Sequence, residues 1–216
     1  MTISSKLFMV HLLASPVGGS LCIAQDVPNS RMLETPEYRV FEDGVTNRLR
    51  VRVNYYVGEG SNPWATSPGQ VSIEYGLPAW KPEYTAMFQQ LPTGKRWRLG
   101  SNYWTNLSTS FVLEAGESKI QAGYYYLVLE RTTPDLWSLV FLNPEQVSQL
   151  QIDPWHVSRK DSGRGTPVPL QWEQSEETAE KLEITLKVLD EESRQMVIHI
   201  RFGTYHFWTS PLKVRF

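Results

Sequence analysis

The sequence has almost no cysteine and no marked excess of either charge. Cys22 is the one cysteine among 216 residues, and it lies in a segment that we expect to be removed, as argued below. Without it the chain has no disulfide, no thiol nucleophile and no cysteine ligand for a metal. The 21 basic and 23 acidic residues are scattered along the chain. Because no basic stripe stands out, we predict no nucleic-acid partner.

Long apolar runs and the common catalytic motifs are missing as well. No stretch of 18 apolar residues is present, so we predict no transmembrane span. The Gly-x-Ser-x-Gly motif of many serine hydrolases is absent. The segment Lys160–Gly165 contains glycines and basic residues, but it lacks the Gly-Lys-Ser/Thr of a phosphate-binding loop. We predict a surface loop there.

The histidines form no metal-binding motif. His156, His199 and His206 are too far apart in sequence for a His-x-x-x-His pair. His156 lies near Asp153 and Asp161, which leaves a weak metal or acid–base cluster open, but zinc sites need three or four convergent ligands. The alternation of its strand places His199 on the outward face. We therefore predict no metal and no cofactor.

Residues 1–24 have the features of an export signal. Lys6 supplies a positive start, and a short, mostly apolar run and small residues lead to a cleavage position after Ala24. We therefore expect an exported protein, periplasmic or extracellular. Lipidation of Cys22 is an alternative, but the bulky Leu21 stands where a lipobox needs a small residue.

Alternating apolar residues and regularly spaced turn signals predict a β-rich fold. Residues 25–36 contain prolines and an asparagine and are predicted to be a disordered lead-in, and residues 37–216 a single domain. About ten short strands joined by turns favour an all-β antiparallel sandwich, jelly-roll-like or immunoglobulin-like, with few or no helices. Strands are predicted at 38–41, 48–57, 71–75, 105–113, 124–130, 137–142, 168–172, 182–188, 196–202, 205–208 and 212–216.

A few helices and turns interrupt these predicted strands. Residues 83–91 and 144–150 are predicted to form short helices. Turns are predicted in the acidic segment Glu176–Glu180 and at Gly203. Because the apolar residues of 137–142 fall on both faces, we expect that strand to be central and covered on both sides.

The most specific motif runs from Leu91 to Thr105. Neighbouring side chains of an extended chain point to opposite faces, so Trp97 is expected to point into the core and Arg98 away from it. Gly100 permits a bend or bulge. One interpretation of the motif is structural: Trp97 is buried, Arg98 fixes a loop, and the motif ends in a turn.

The alternative interpretation of this motif is functional. Arg98 and Asn102 would face a ligand, with Tyr103 and Trp104 beside them, because binding sites combine a few polar groups with aromatic side chains. The chain has eight tryptophans, and exposed aromatic rings on a β-sandwich suit the flat faces of sugars. The arginines of the strand at 48–57, in contrast, are predicted to be its solvated face.

This motif and three others follow one another in a distinctive order. They are Val71-Ser-Ile-Glu-Tyr-Gly-Leu-Pro78, Leu91-Pro-Thr-Gly-Lys-Arg-Trp-Arg-Leu-Gly100 followed by Asn102 and Thr105, Gln121-Ala-Gly-Tyr-Tyr-Tyr-Leu127, and Trp137-Ser-Leu-Val-Phe-Leu-Asn143. Together they resemble the bacterial Domain of Unknown Function 2911 (DUF2911) family over roughly residues 67–215. The resemblance implies an exported protein with a sandwich-like β fold and no established activity. It also implies that Trp97, Gly100, Thr105 and Gly123 belong to a structural signature.

The chain departs from the family pattern at three places. Leu77 stands where arginine is usual, and Lys81-Pro82 replaces Gly-Arg. Tyr103-Trp104 replaces Glu-Ala, so the residue that is acidic in relatives has no counterpart here.

Taken with the export signal, these features favour a binding or structural module of the bacterial envelope. Its partner would be a glycan or an envelope protein, and no oligomeric state is indicated. The alternative is a hydrolase with a carboxylate-based site near Arg98 and Asn102, although the spacing of the acidic residues selects no catalytic pair.

Overall fold

The computed structural model divides the chain into two compact units, residues 1–46 and 47–216. In the first unit, β1 (Met32–Glu34) pairs antiparallel with β2 (Arg39–Phe41). The described part leaves out residues 1–24, which include Cys22, and all of the predicted lead-in at 25–36 except β1. The export signal, the disordered lead-in and the single domain therefore stay predictions. The structure describes residues 32–34, 39–41, 47–56, 68–158, 161–190 and 194–216.

The described part of the second unit contains eleven strands and two helices. The helices are α1 (Glu83–Gln90) and α2 (Pro144–Gln149), and both short helices were expected from the sequence. The strands are β3 (Arg48–Tyr56), β4 (Pro68–Gly76), β5 (Arg96–Arg98), β6 (Thr105–Thr109), β7 (Val112–Ala115), β8 (Ser118–Ile120), β9 (Gly123–Arg131), β10 (Trp137–Leu142), β11 (Gly165–Asp190), β12 (Gln195–Thr209) and β13 (Leu212–Arg215).

These strands form one open sheet in which every described pairing is antiparallel. Its order is β3-β4-β6-β9-β10-β11-β12-β13-β7-β8, and β5 pairs with β9 beside β6. The prediction of an all-β, antiparallel, sandwich-like fold with few helices is therefore confirmed.

A single apolar core lies against one face of this sheet. Alternate residues of most strands point into it, and Phe88 of α1 adds an aromatic ring. A smaller cluster lies on the opposite face of β9 and β10, where α2 and the segment after it cover Val128, Val140 and Leu142. All six residues of β10 are buried as a result, which confirms the prediction that this strand is covered on both sides.

The hairpin of β11 and β12 corrects two turn predictions. Glu176–Glu180 and Gly203 do not end strands but lie within β11 and β12, which bend together at this point. From Gln174 to Glu183 the outer strand advances nine residues, while β12 advances four, from Arg201 to Tyr205. Bulges absorb this difference, with Gly203 at a positive φ of 61°, because the outer path around a bend is longer.

A third correction concerns residues 105–113, which were predicted to form one strand. The chain breaks between β6 and β7, where the Thr109 hydroxyl contacts both the backbone N–H and the carbonyl of Phe111. β6 then pairs with β4 and β9, whereas β7 pairs with β13 and β8. Alternation alone did not show this change of partner, because both halves bury residues in the same core.

The segment that follows β4 pairs with the middle of β11. Ala79 forms a bridge with Lys181, and the backbone N–H of Trp80 donates to the Glu180 carbonyl at 2.7 Å. The Tyr75 hydroxyl also lies within hydrogen-bonding distance of the Ile184 backbone. These contacts hold the two halves of the sheet together on either side of the core. Among the described residues, no helix is long and apolar enough to cross a membrane.

Candidate functional site

The signature motif forms a six-residue excursion between two strands that share a partner. β5 pairs with Val128–Glu130 and β6 with Gly123–Leu127, so residues 99–104 leave the edge of β9 and return to it. Gly100 has a φ of 102°, and a Cβ there would lie 2.6 Å from the Thr105 hydroxyl. That hydroxyl donates to the Leu99 carbonyl. The excursion is therefore tightly closed at its base.

Trp97 and Arg98 hold this excursion in place. Trp97 stacks on Phe202 with ring centroids 5.5 Å apart. The Arg98 guanidinium lies 3.9 Å from the ring centre of the exposed Trp155, and its Nη1 donates a long hydrogen bond of 3.4 Å to the Asn102 carbonyl. Burial lowers the pKa of Arg98. Arg98 therefore contacts the backbone of Asn102 and a tryptophan ring.

The four predicted ligand-binding residues do not come together in one place. Tyr103 and Trp104 line a pocket of about 290 Å³. Arg98 and Asn102 are not among its lining residues, and Asn102 has a φ of 66°, which turns the chain toward the pocket. The other lining residues, which sequence reasoning did not select, are Arg48, Glu74, Asn106, Tyr124 and Tyr126.

The floor of this pocket is the outward face of four neighbouring strands. Glu74 on β4 lies opposite Asn106 on β6, which in turn lies opposite Tyr126 on β9. Two residues further along the strands, on the same face, Ser108 lies opposite Tyr124. We call the outward side chains of these two rows the polar face: Arg50, Glu74, Asn106 and Tyr126, and Arg52, Ser72, Ser108 and Tyr124.

Glu74 is the carboxylate of the pocket, and two arginines hold it. Its oxygens accept hydrogen bonds from Arg48 Nε at 2.9 Å and from Arg50 Nη2 at 2.5 Å. The hydrogen bonds from Arg50 and Arg48 lower the pKa of Glu74. Glu74 is therefore ionised at neutral pH and has no proton to give, which does not favour a general-acid role.

Arg48 is less exposed than the sequence predicted for a solvated arginine. Its side chain retains 12% exposure, because it reaches across β4, and its Nη2 donates to the carbonyls of Glu74 and Trp104 at 3.2 and 2.8 Å. The remaining nitrogen, Nη1, is buried and has no acceptor among the described residues. An unsatisfied charged donor costs roughly 1–3 kcal/mol or more, so it marks a position where an acceptor would be stabilised.

Aromatic rings form the wall and rim of the pocket. Trp104 is buried and stacks on Tyr126, with centroids 4.8 Å apart and planes 11° apart. Tyr124 meets Tyr126 edge-on at 5.7 Å. Tyr103 and Tyr124 are 44% and 47% exposed, so their rings remain free to contact a ligand. Burial raises the pKa of Tyr124, and a hydrogen bond with the Asn106 side chain opposes this shift.

A second pocket of about 390 Å³ adjoins the first. Tyr124 lines both pockets. Gly123, which was predicted to be part of the structural signature, lies in this second pocket, and a Cβ there would make an ordinary contact of 3.7 Å with the Tyr125 ring. Asn143 and Glu145 supply its polar groups. The two pockets flank one half-exposed tyrosine.

Other polar clusters in the described residues are satisfied internally. His156 pairs with Asp153 at 2.7 Å, while Asp161 instead accepts from the Gly163 backbone at 2.9 Å, so the three do not converge. Arg96 beside a cavity of about 570 Å³ donates to Glu130 and to the 162–163 segment. No group of three or more potential metal ligands is found in the described part of the chain.

One pattern in the sequence indicates the polar face. Residues 48, 50 and 52 are arginines on the outward parity of a strand, next to a strand with Glu74 on its outward parity. Only the pairing of β3 with β4 shows that these charges meet.

Comparison with known proteins gives one match. A family model described as "Protein of unknown function (DUF2911)" matches residues 64–201. No curated protein and no solved structure matches the chain.

Proposed function

The chain belongs to the DUF2911 family, and we propose that it is a carbohydrate-binding module that takes its ligand in the pocket between Tyr103, Trp104 and Tyr124. The observation that carries this proposal is the combination of half-exposed tyrosines with planar polar side chains on one sheet face. Sugar rings present flat C–H surfaces to aromatic rings and hydroxyl pairs to carboxylate, amide and guanidinium groups.

The size of the site favours a ligand of more than one ring. Ligand pockets usually measure roughly 300–1,000 Å³, and the first pocket, at about 290 Å³, is at the lower end. The second pocket begins on the other side of Tyr124. A linear oligosaccharide would place one ring in each pocket and cross Tyr124 between them.

We expect the protein to act outside the cytoplasm, as a module of the bacterial envelope. Support comes from the signal-like residues 1–24 alone. Intact-mass analysis of the protein recovered from its native cell would show a chain that begins at Gln25. A chain that retains residues 1–24 in the cytoplasmic fraction would contradict this expectation.

The experiment that tests sugar binding is a glycan array followed by calorimetric titration of the retained glycans. We expect Tyr103→Ala and Tyr124→Ala each to weaken binding by about tenfold, which corresponds to about 1.4 kcal/mol, without a change in fold by circular dichroism. Trp155→Ala is the matched control, since Trp155 is an exposed aromatic outside the pocket.

Two outcomes would contradict the proposal. If no glycan on the array is retained, the pocket does not bind sugar. If Trp155→Ala weakens binding and the tyrosine variants do not, the ligand lies beside Arg98 and Trp155 and not in the pocket.

A further inference from the structure

The charges around the first pocket do not balance. Three guanidinium groups, those of Arg48, Arg50 and Arg52, lie on the outward side of β3, and Glu74 is the carboxylate among them. Glu74 is shared by Arg48 and Arg50, while Arg52 is exposed and has no ion-pair partner among the described residues. This end of the site therefore carries a net positive charge.

Arg48 also has unused hydrogen-bonding capacity. Its Nε and Nη2 donate to Glu74 and to the Trp104 carbonyl. Nη1, with two N–H donors, is shielded from solvent and finds no acceptor in the described part of the chain. Arg48 lines the pocket. A ligand oxygen that reaches Nη1 from the pocket would supply the missing acceptor.

A carboxylate satisfies both conditions. It accepts hydrogen bonds only and is charged at neutral pH, and a charged acceptor bonds a guanidinium N–H more strongly than a neutral hydroxyl does. The second pocket differs, because its charged group is Glu145, which would repel a second carboxylate.

From this geometry we infer that the ligand is an acidic glycan whose carboxylate lies in the first pocket against Arg48 Nη1. The inference rests on the proposed carbohydrate binding and adds the chemical class and the orientation of the ligand: the acidic ring contacts Arg48, and the neighbouring ring passes Tyr124 toward Asn143.

The test compares an acidic ligand with its methyl ester, which removes the charge and adds only a methyl group. The full-chain protein is titrated with a disaccharide of one galacturonic acid and one neutral sugar and with the methyl ester of that disaccharide, and an array that carries neutral and carboxylated glycans is probed in parallel. We expect carboxylated glycans to bind about tenfold more tightly than their esters or neutral counterparts, with an affinity that falls as salt rises because the pairing is ionic.

Two substitutions in β3 test whether the carboxylate contacts Arg48 directly. Arg48→Gln should bring the affinity for the acid down to that for the ester, while Arg52→Gln, which removes the same charge outside the pocket, should weaken it by only about twofold. Equal losses in the two variants would overturn the direct contact with Arg48. If Arg48→Gln fails to fold, the comparison of acid and ester on the unaltered protein still decides the inference.

The outcomes separate this inference from the proposed function. Equal binding of acidic and neutral glycans, or binding of neutral glycans alone, overturns the acidic ligand and leaves sugar binding intact. No binding of any glycan overturns both.

Discussion

At the scale of single residues, Glu74 links the pocket to the stability of the fold. It joins β3 to β4 through Arg48 and Arg50, and those two hydrogen bonds lower its pKa below the ordinary value of 4.5. A carboxyl group with a lowered pKa in the folded state stabilises the protein at pH values above its unfolded pKa. This contribution is lost as the pH falls through the folded pKa.

We therefore predict that Glu74→Gln lowers the melting temperature at pH 7 and has little effect in acid. The expected loss is about 1 kcal/mol, or roughly 2–4 °C for a domain of this size, and it should shrink as the pH falls below 4.5. Thermal melts of both proteins between pH 3 and pH 7 measure it. A loss that stays constant over this range would show that the side chain stabilises by packing and not by its charge.

His199 should produce a dependence of the same sign at higher pH, since it is a base with a lowered pKa. Its Nδ1 lies 3.1 Å from His206 Nε2, and His206 Nδ1 lies 3.3 Å from Glu173. Burial lowers the pKa of His199, and His206 and Lys187 add to this effect. The unfolded chain then binds a proton more readily than the folded one, so stability falls as the pH drops through 6.5.

We predict that Lys187→Gln raises the pKa of His199 and makes the loss of stability between pH 7 and pH 5.5 less steep. Titration of the imidazole signals by NMR measures the pKa directly, and melts at matched pH values measure stability. An unchanged His199 pKa in this variant would mean that burial and His206 alone account for the shift.

At the scale of elements, the bend shared by β11 and β12 depends on Gly203. Its φ is positive, and the ring of Trp80 lies so close to its Cα that a Cβ would overlap it. Trp80 in turn meets Phe202 edge-on at 5.0 Å. The bulge and the ring therefore fit together only because the residue at 203 has no side chain.

We predict that Gly203→Ala destabilises the protein more than Gly116→Ala does. Gly116 also has a positive φ, of 57°, but open space surrounds it, so its substitution should cost only the backbone strain of roughly 1–2 kcal/mol. Gly203→Ala should add roughly 1–3 kcal/mol for overpacking. Denaturant melts measure both values.

A double variant separates the two contributions. If Trp80→Leu relieves the overlap, its combination with Gly203→Ala should cost less than the sum of the single changes. Exact additivity would mean that the ring does not limit position 203.

The bend of β11 and β12 illustrates which parts of the fold can be predicted from the sequence and which cannot. Alternation identified most strands because one face of each is buried, and the run of apolar residues in β10 indicated cover on both sides. Alternation of apolar residues did not distinguish a bulge from a turn at Gly203, because glycine is common in both. The break after Thr109 was hidden for a related reason: β6 and β7 bury alternate residues in one core but pair with different strands.

The site was predictable only in part, again for a physical reason. Tyr103 and Trp104 were selected because they stand beside each other in a specific motif, and both line the pocket. Arg48, Glu74 and Asn106 come from three different strands, and no local motif links them. Their proximity follows from the pairing of β3, β4 and β6, which depends on register and not on sequence spacing.

At the scale of the whole molecule, protection from hydrogen exchange should follow position in the sheet. β10 is paired on both sides, by β9 and β11, and is entirely buried. β3 ends the strand order and, among the described strands, is paired only with β4. Half of the amide groups of an edge strand point away from its one partner and exchange more readily.

We therefore predict that peptides covering 137–142 exchange most slowly and that the outward amides of 48–56 exchange much faster, measured by mass spectrometry on the native protein. Dilution of the protein should leave both rates unchanged if β3 is a free edge. Slow exchange at 48–56 that becomes faster on dilution would instead show that another copy of the chain covers this edge. Since Arg48 lies on β3, that result would place the partner beside the pocket, and glycan titrations would then need to be repeated at the dilute concentration.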